Sequence, residues 1–136
     1  MLKILIDSNI WISFLIGKSL KGLQNFLHDK RFIIITSDEQ MSELIEVLNR
    51  PKFKKYFTKE QIIDFLKLIE QKSQIFKNYT RINICRDEKD NYLLSIAIDS
   101  KADYLITGDK DLIELKEIND TQIINFKDFE SKFMNY

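Results

Sequence analysis

Four short runs, Leu2 to Ile6, Phe32 to Thr36, Tyr104 to Thr107 and Gln122 to Asn125, are apolar without alternation, and each is followed by polar or turn residues. A strand with one wetted face alternates with period two. An unbroken run of Ile and Leu implies a strand buried on both faces, as in a parallel sheet between helix layers. The segments between the runs are long enough for crossover helices, so the chain reads as a three-layer α/β/α domain around a mainly parallel sheet of four to five strands. In such sheets the functional crevice lies beyond the carboxyl ends of the strands. The first residue after the first run, Asp7, is therefore an acid at the edge of a core.

The helices carry their own start signals. Thr58 to Gln61 has the Thr-x-x-Gln pattern of a capping box, followed by Ile62, Leu66 and Ile69 at helical spacing toward Phe76. Ser37 to Gln40 repeats the pattern ahead of Met41, Leu44, Ile45 and Leu48, with Pro51 as the stop, which predicts a helix from about Asp38 to Asn49. Asp87 is the natural N-cap of a third helix, whose apolar stripe is Leu93, Leu94 and Ala97. A further short strand is possible around Arg81 to Ile84. No internal repeat or flexible linker interrupts the pattern, and 136 residues make one domain spanning 1–136.

Composition narrows the chemistry. Apolar residues at 44% and charged residues at 31% suit a folded soluble protein, and the apolar runs are far too short for a membrane span or a signal-peptide core, so a cytoplasmic location is expected. Cys85 is the only cysteine, which excludes an internal disulfide or a thiolate cluster. His28 is the only histidine and ends the amphipathic stretch LKGLQNFLH, where a surface or helix-end residue is expected rather than a catalytic base. Chemistry, if present, falls to carboxylates. The 21 basic residues balance the 21 acidic ones, so overall charge steers toward no partner. A local basic segment, RPKFKKYF, nevertheless gathers Arg50, Lys52, Lys54 and Lys55 among aromatics, a composition suited to phosphate contacts or to ordinary loop packing.

The acids fall where the sheet would use them. Asp7 follows the first run; Asp109 and Asp111 follow YLIT in TGDKD. Asp90 precedes Leu93, Leu94 and Ala97 by three, four and seven residues, which places it on their inward face. Singly, each carboxylate is accounted for by capping or by the helix dipole. Converging on one crevice they would repel, and a hard divalent cation such as Mg²⁺ or Mn²⁺ relieves the repulsion with oxygen ligands. Two such ions about 4 Å apart can clamp both oxygens of an in-line phosphoryl displacement. The lack of a histidine or cysteine cluster points away from zinc.

With these residues in view the chain resembles the PIN domain, an acidic-site ribonuclease fold common among the toxin halves of toxin–antitoxin pairs. LIDSNIWIS is similar to the family's opening strand and turn, SDEQMSELIEVLNRPKF to the helix carrying its second acid, and RDEKDNYLLSIAIDSKADYLITGDKDL to its third and fourth acid segment. The resemblance implies that Asp7, Glu43, Asp90 and Asp109 are catalytic metal-binding acids supported by Ser8, Asn9 and Thr107, with Asp87 and Asp111 as auxiliary ligands or caps. Periodicity alone places Glu43 opposite the stripe of Met41, Leu44, Ile45 and Leu48, so only the motif singles it out. Ser8 stands where the family often has threonine, which keeps the hydroxyl. The implied activity is metal-dependent endonucleolytic hydrolysis of single-stranded or loop RNA. Lys110 and the Arg50 to Lys55 run are then candidates for RNA contacts, and a partner antitoxin and a homodimer are implied as well.

Two other readings compete. A haloacid-dehalogenase-like phosphatase wants a second aspartate at position 9, which is Asn9, and a receiver domain wants its acceptor aspartate at a strand end, whereas Asp90 starts a helix. A PIN-like scaffold that binds RNA or protein without cutting is the non-enzymatic alternative.

Overall fold

The computed structural model describes residues 1–17, 25–77 and 80–133. Its sheet contains six strands: β1 (Leu2–Ile6), β2 (Phe32–Thr36), β3 (Ser73–Ile75), β4 (Tyr104–Ile106), β5 (Glu117–Ile118) and β6 (Thr121–Ile124). Their order is β3-β2-β1-β4-β6-β5, and every neighbouring pair is parallel except β5 with β6. The first strand of the chain is thus central, aligned Ile4 with Ile34 on one side and Ile4 with Tyr104 on the other.

Among the described residues the strands are connected and covered by α1 (Ser8–Ile16), α2 (Asp38–Leu48), α3 (Lys59–Lys72), α4 (Glu88–Ser100), α5 (Lys110–Leu115) and α6 (Phe126–Phe133). A 3-10 turn at Pro51–Phe53 follows α2, where proline ends the α-helical ladder. Alternate residues of the strands feed opposite cores. Ile4, Ile6, Phe32, Ile34, Tyr104 and Ile106 pack with Trp11, Leu44, Phe65, Ile69 and Phe129 on one face. Leu5, Ile35 and Leu105 pack with Leu93, Leu94, Ala97 and Leu112 on the other. Both faces are covered, which is why the strand sequences do not alternate.

The four expected strands and the helix starts are present, but the sheet has six strands where four to five were expected, because β3 and the short antiparallel β5 add to its two edges. Three further differences stand out. The helix opened by Thr58 ends at Lys72 instead of running toward Phe76, because Ser73, Gln74 and Ile75 turn extended and pair with Ile34, Ile35 and Thr36 at the free edge of β2. The segment Arg81 to Ile84 is not a strand: Asn91 accepts from the amides of Ile84 and Cys85 and donates to the Cys85 carbonyl, so a side chain does the work of a ladder. Along α2 the buried residues are Gln40, Leu44 and Leu48, while Ile45 is 47% exposed. The apolar stripe is therefore rotated from the one that Ile45 suggested. The amphipathic stretch before His28 lies partly outside the described residues; residues 25–28 are helical and His28 is exposed.

Candidate metal centre

Two of the acids are delivered by strand-to-helix turns at the carboxyl edge of the sheet. Asp7 leaves β1 and caps α1, its carboxylate accepting from the Asn9 amide at 3.1 Å and from Thr107 Oγ1 at 2.8 Å. Asp109 leaves β4 and caps α5, accepting from the amides of Asp111 and Leu112. Thr107, wholly buried, joins the two turns: its hydroxyl donates to Asp7 and accepts from the Asp109 amide. Asp87 caps α4 and accepts from the Lys89 amide.

Asp90 is different. It stands in the first turn of α4 on the inward face, 7% exposed, and among the described residues no donor hydrogen-bonds to its carboxylate. Burial, then the charges of Asp109, Asp87, Asp7 and Asp111, push its pKa up to about 6. Desolvation and like charge both disfavour the ionised form, and no cap offsets them. Carboxylate oxygens of Asp90, Asp109 and Asp111 lie within 4.8 Å of one another.

Glu43 arrives from α2. It shares a cleft of about 210 Å³ with Asp7, Ser8, Asn9, Asp87, Asp90 and Asp109. The rotation of the α2 stripe explains this: with Gln40 and Leu44 buried, Glu43 and Val47 flank the buried face on the cleft side. Asp111 does not line this cleft but an adjoining shallow one with Cys85 and Arg86. Burial and then the charges of Asp90, Asp111, Asp109 and Asp87 push the Cys85 thiol up, which leaves it protonated and unreactive at neutral pH.

Among the described residues no lysine or arginine makes an ion pair with Asp7, Glu43, Asp90 or Asp109. Arg50, Lys52 and Lys89 nevertheless line the cleft, whereas Lys54, Lys55 and Lys110 do not. Sequence reasoning missed Lys89, although its place between Asp87 and Asp90 put it at the same helix start. Oxygen donors in excess, with one acid buried against its neighbours' charge, fit a hard divalent cation, and among the described residues the carboxylates that come within reach of a single ion are those of Asp90, Asp109 and Asp111.

The family description "PIN domain" matches residues 3–111. The chain belongs to the PIN domain family. An uncharacterized protein of Methanocaldococcus jannaschii is 35% identical to this PIN domain over 127 residues, 91% of this chain and 81% of that protein. The crystal structure of VapBC2 from Rickettsia felis bound to a DNA fragment from their promoter contains a chain that superposes with a TM-score of 0.60 at 17% identity, over 91% of this chain and 98% of that one. At that identity the likeness is one of fold. No helix among the described residues of this PIN domain is long and apolar enough to cross a membrane.

Proposed function

We propose that this PIN domain is an endoribonuclease dependent on Mg²⁺ or Mn²⁺, acting on single-stranded or loop RNA as the toxin of a toxin–antitoxin pair. The supporting observation is that Asp7, Glu43, Asp90 and Asp109, from four separate elements, line one cleft in which the basic residues Arg50, Lys52 and Lys89 form no ion pair with them. Bound metal would polarise the scissile phosphate and acidify the attacking water. The protein's own residues then have distinct parts. The four acids hold the cation and act as ligands, not as covalent nucleophiles. The Thr107 hydroxyl and the Asn9 amide fix the Asp7 carboxylate, and Ser8 and Asn9 shape the same turn. Arg50, Lys52 and Lys89 are placed to receive the flanking phosphates of an RNA strand entering the cleft.

A protein partner is supported by the VapBC2 likeness and by apolar side chains left outside: Ile45 on α2, Tyr56 after the 3-10 turn and Ile63 on α3 are 47%, 55% and 49% exposed. A homodimer and an antitoxin are the proposed users of such surface, and light scattering of the purified chain alone separates the first from the second. The activity test is cleavage of a structured RNA by purified protein with Mn²⁺ or Mg²⁺. Cutting should vanish with EDTA and in Asp7→Asn. Equal degradation by wild type and variant would assign it to contamination and leave a scaffold that binds without cutting.

A further inference from the structure

Two helices of this protein open on the same signature, and only one uses it as the signature predicts. At α3 the box closes: the Thr58 hydroxyl accepts from the Gln61 amide, and the Gln61 side chain accepts from the Thr58 amide. At α2 the Ser37 hydroxyl accepts from the Gln40 amide at 3.1 Å, yet the Gln40 side chain does not return to Ser37. It points into the sheet, 1% exposed. There Nε2 donates to the Ile6 carbonyl at 2.6 Å and Oε1 accepts from Thr36 Oγ1 at 2.7 Å. The orientation of the amide is fixed by chemistry, because a carbonyl oxygen can only accept.

The Ile6 carbonyl belongs to the peptide bond that leads into Asp7. The Asp7 amide donates to Ile106 on the β4 side, so the Ile6 carbonyl, one residue earlier in a pleated strand, faces β2. The last paired residues on that side are Leu5 and Ile35, so no strand residue of β2 takes the Ile6 carbonyl. Gln40 takes it instead. It ties the peptide that carries Asp7 to the helix that carries Glu43, one turn further along. The Ser37 hydroxyl is in turn hydrogen-bonded to the Tyr92 hydroxyl of α4, two residues beyond Asp90, and Tyr92 donates on to Glu39 at 2.9 Å. Thr107 closes the other side, from Asp7 to Asp109.

We propose that Gln40 is a positioning residue of the metal centre, holding Asp7 in register with Glu43 by bridging the ends of β1 and β2 from the first turn of α2. The proposal rests on the metal reading above. It differs from the role of a ligand: Gln40 touches neither cation nor substrate, and it sets the distance between two acids that do. Outer partners of this kind govern affinity by orienting ligands, and their loss costs about 10–100-fold in metal binding.

The test is Mn²⁺ titration of metal-free protein followed by electron paramagnetic resonance, which reads the site without turnover. Gln40→Met keeps length and volume and removes both bonds, and its Mn²⁺ affinity should fall about 10-fold or more. Thr36→Val removes only the hydroxyl that orients the amide and should give a smaller loss. Ile69→Val, a core change on α3, serves as a control for general loosening. Affinity within about twofold of wild type in Gln40→Met overturns the proposal. So does an equal loss in an Ile69→Val control that melts no higher. If Gln40→Met does not fold, Thr36→Val decides, and unchanged Mn²⁺ binding there also overturns it. A wild type that binds no Mn²⁺ sinks the metal reading and this inference with it, a result distinct from the others.

Discussion

The two ends of the parallel sheet treat charge in opposite ways. At the amino end, before β2, Asp29 meets Arg31 at 2.7 Å, and Arg31 also donates to the Phe133 carbonyl. Before β4, Asp103 accepts from the Lys3 amide at 2.8 Å, and the Lys3 ammonium reaches the Ser100 carbonyl. The Arg31 guanidinium, hydrogen-bonded to Asp29, holds that carboxyl below the usual carboxylate range. At the carboxyl end Asp90 is pushed up to about 6 by burial and by its neighbours' charge. Both are aspartates near strand ends of one sheet. The difference teaches that the amino end is built for the stability of the chain alone, whereas the carboxyl end accepts a cost that a cation would remove.

The sharpest way to break this contrast is Asp90→Asn. Removing the charge should lower RNA cleavage by at least about 100-fold, beyond the range typical of outer-shell partners. The same variant, free of metal at pH 7.5, should melt several degrees higher than wild type; an unchanged melt would mean that Asp90 carries no penalty. Linkage gives the next test. A carboxyl whose folded pKa, about 6, lies above its ordinary 3.8 stabilises the fold below the lower value, and that contribution is lost as pH rises through the higher one. Stability of the metal-free protein should therefore fall between about pH 4 and 6, by at most about 3 kcal/mol from this group. Saturating Mn²⁺ should erase the fall, and denaturant melts across that range with and without the ion check both statements.

Smaller effects sharpen the comparison. Thr107→Val strips Asp7 of its side-chain donor, and a loss of about 10-fold in cleavage with about 1 kcal/mol in stability is expected. Steady-state rates and melts of the variant measure the two separately. Asp29→Asn at the opposite end should leave cleavage alone and cost under about 1 kcal/mol, since the pair is partly exposed. Its sign is the reverse of Asp90's: a depressed carboxyl contributes above its unfolded pKa and loses that contribution as pH falls below about 4. Melts of wild type and variant should converge in acid.

Much of this was legible in the chain because burial leaves plain marks. Two-sided burial removed the alternation from the strands, and the inward place of Asp90 followed from its spacing to Leu93, Leu94 and Ala97. The failures come from interactions between distant segments. Ile45 looked like core and is half in water, which rotated the reading of α2 and sent Glu43 to the wrong side until the motif placed it. Ser73–Ile75 left the helix because the open edge of β2 offered ladder bonds that no local propensity encodes. Ser37 to Gln40 reads as a capping box, yet a carbonyl 34 positions away takes the glutamine.

The central place of β1 also bears on when such a centre can exist. Thr107 hydrogen-bonds Asp7 across 100 positions, and β1 acquires its β4 neighbour only after most of the chain has been made. At about 5–20 residues per second, several seconds separate the emergence of the two turns from a ribosome. A nascent chain still lacking β4 has one wall of the cleft missing and its acids unassembled. As the ribonuclease proposed above, the chain would thus stay harmless to the ribosome and message producing it until its own synthesis is nearly done.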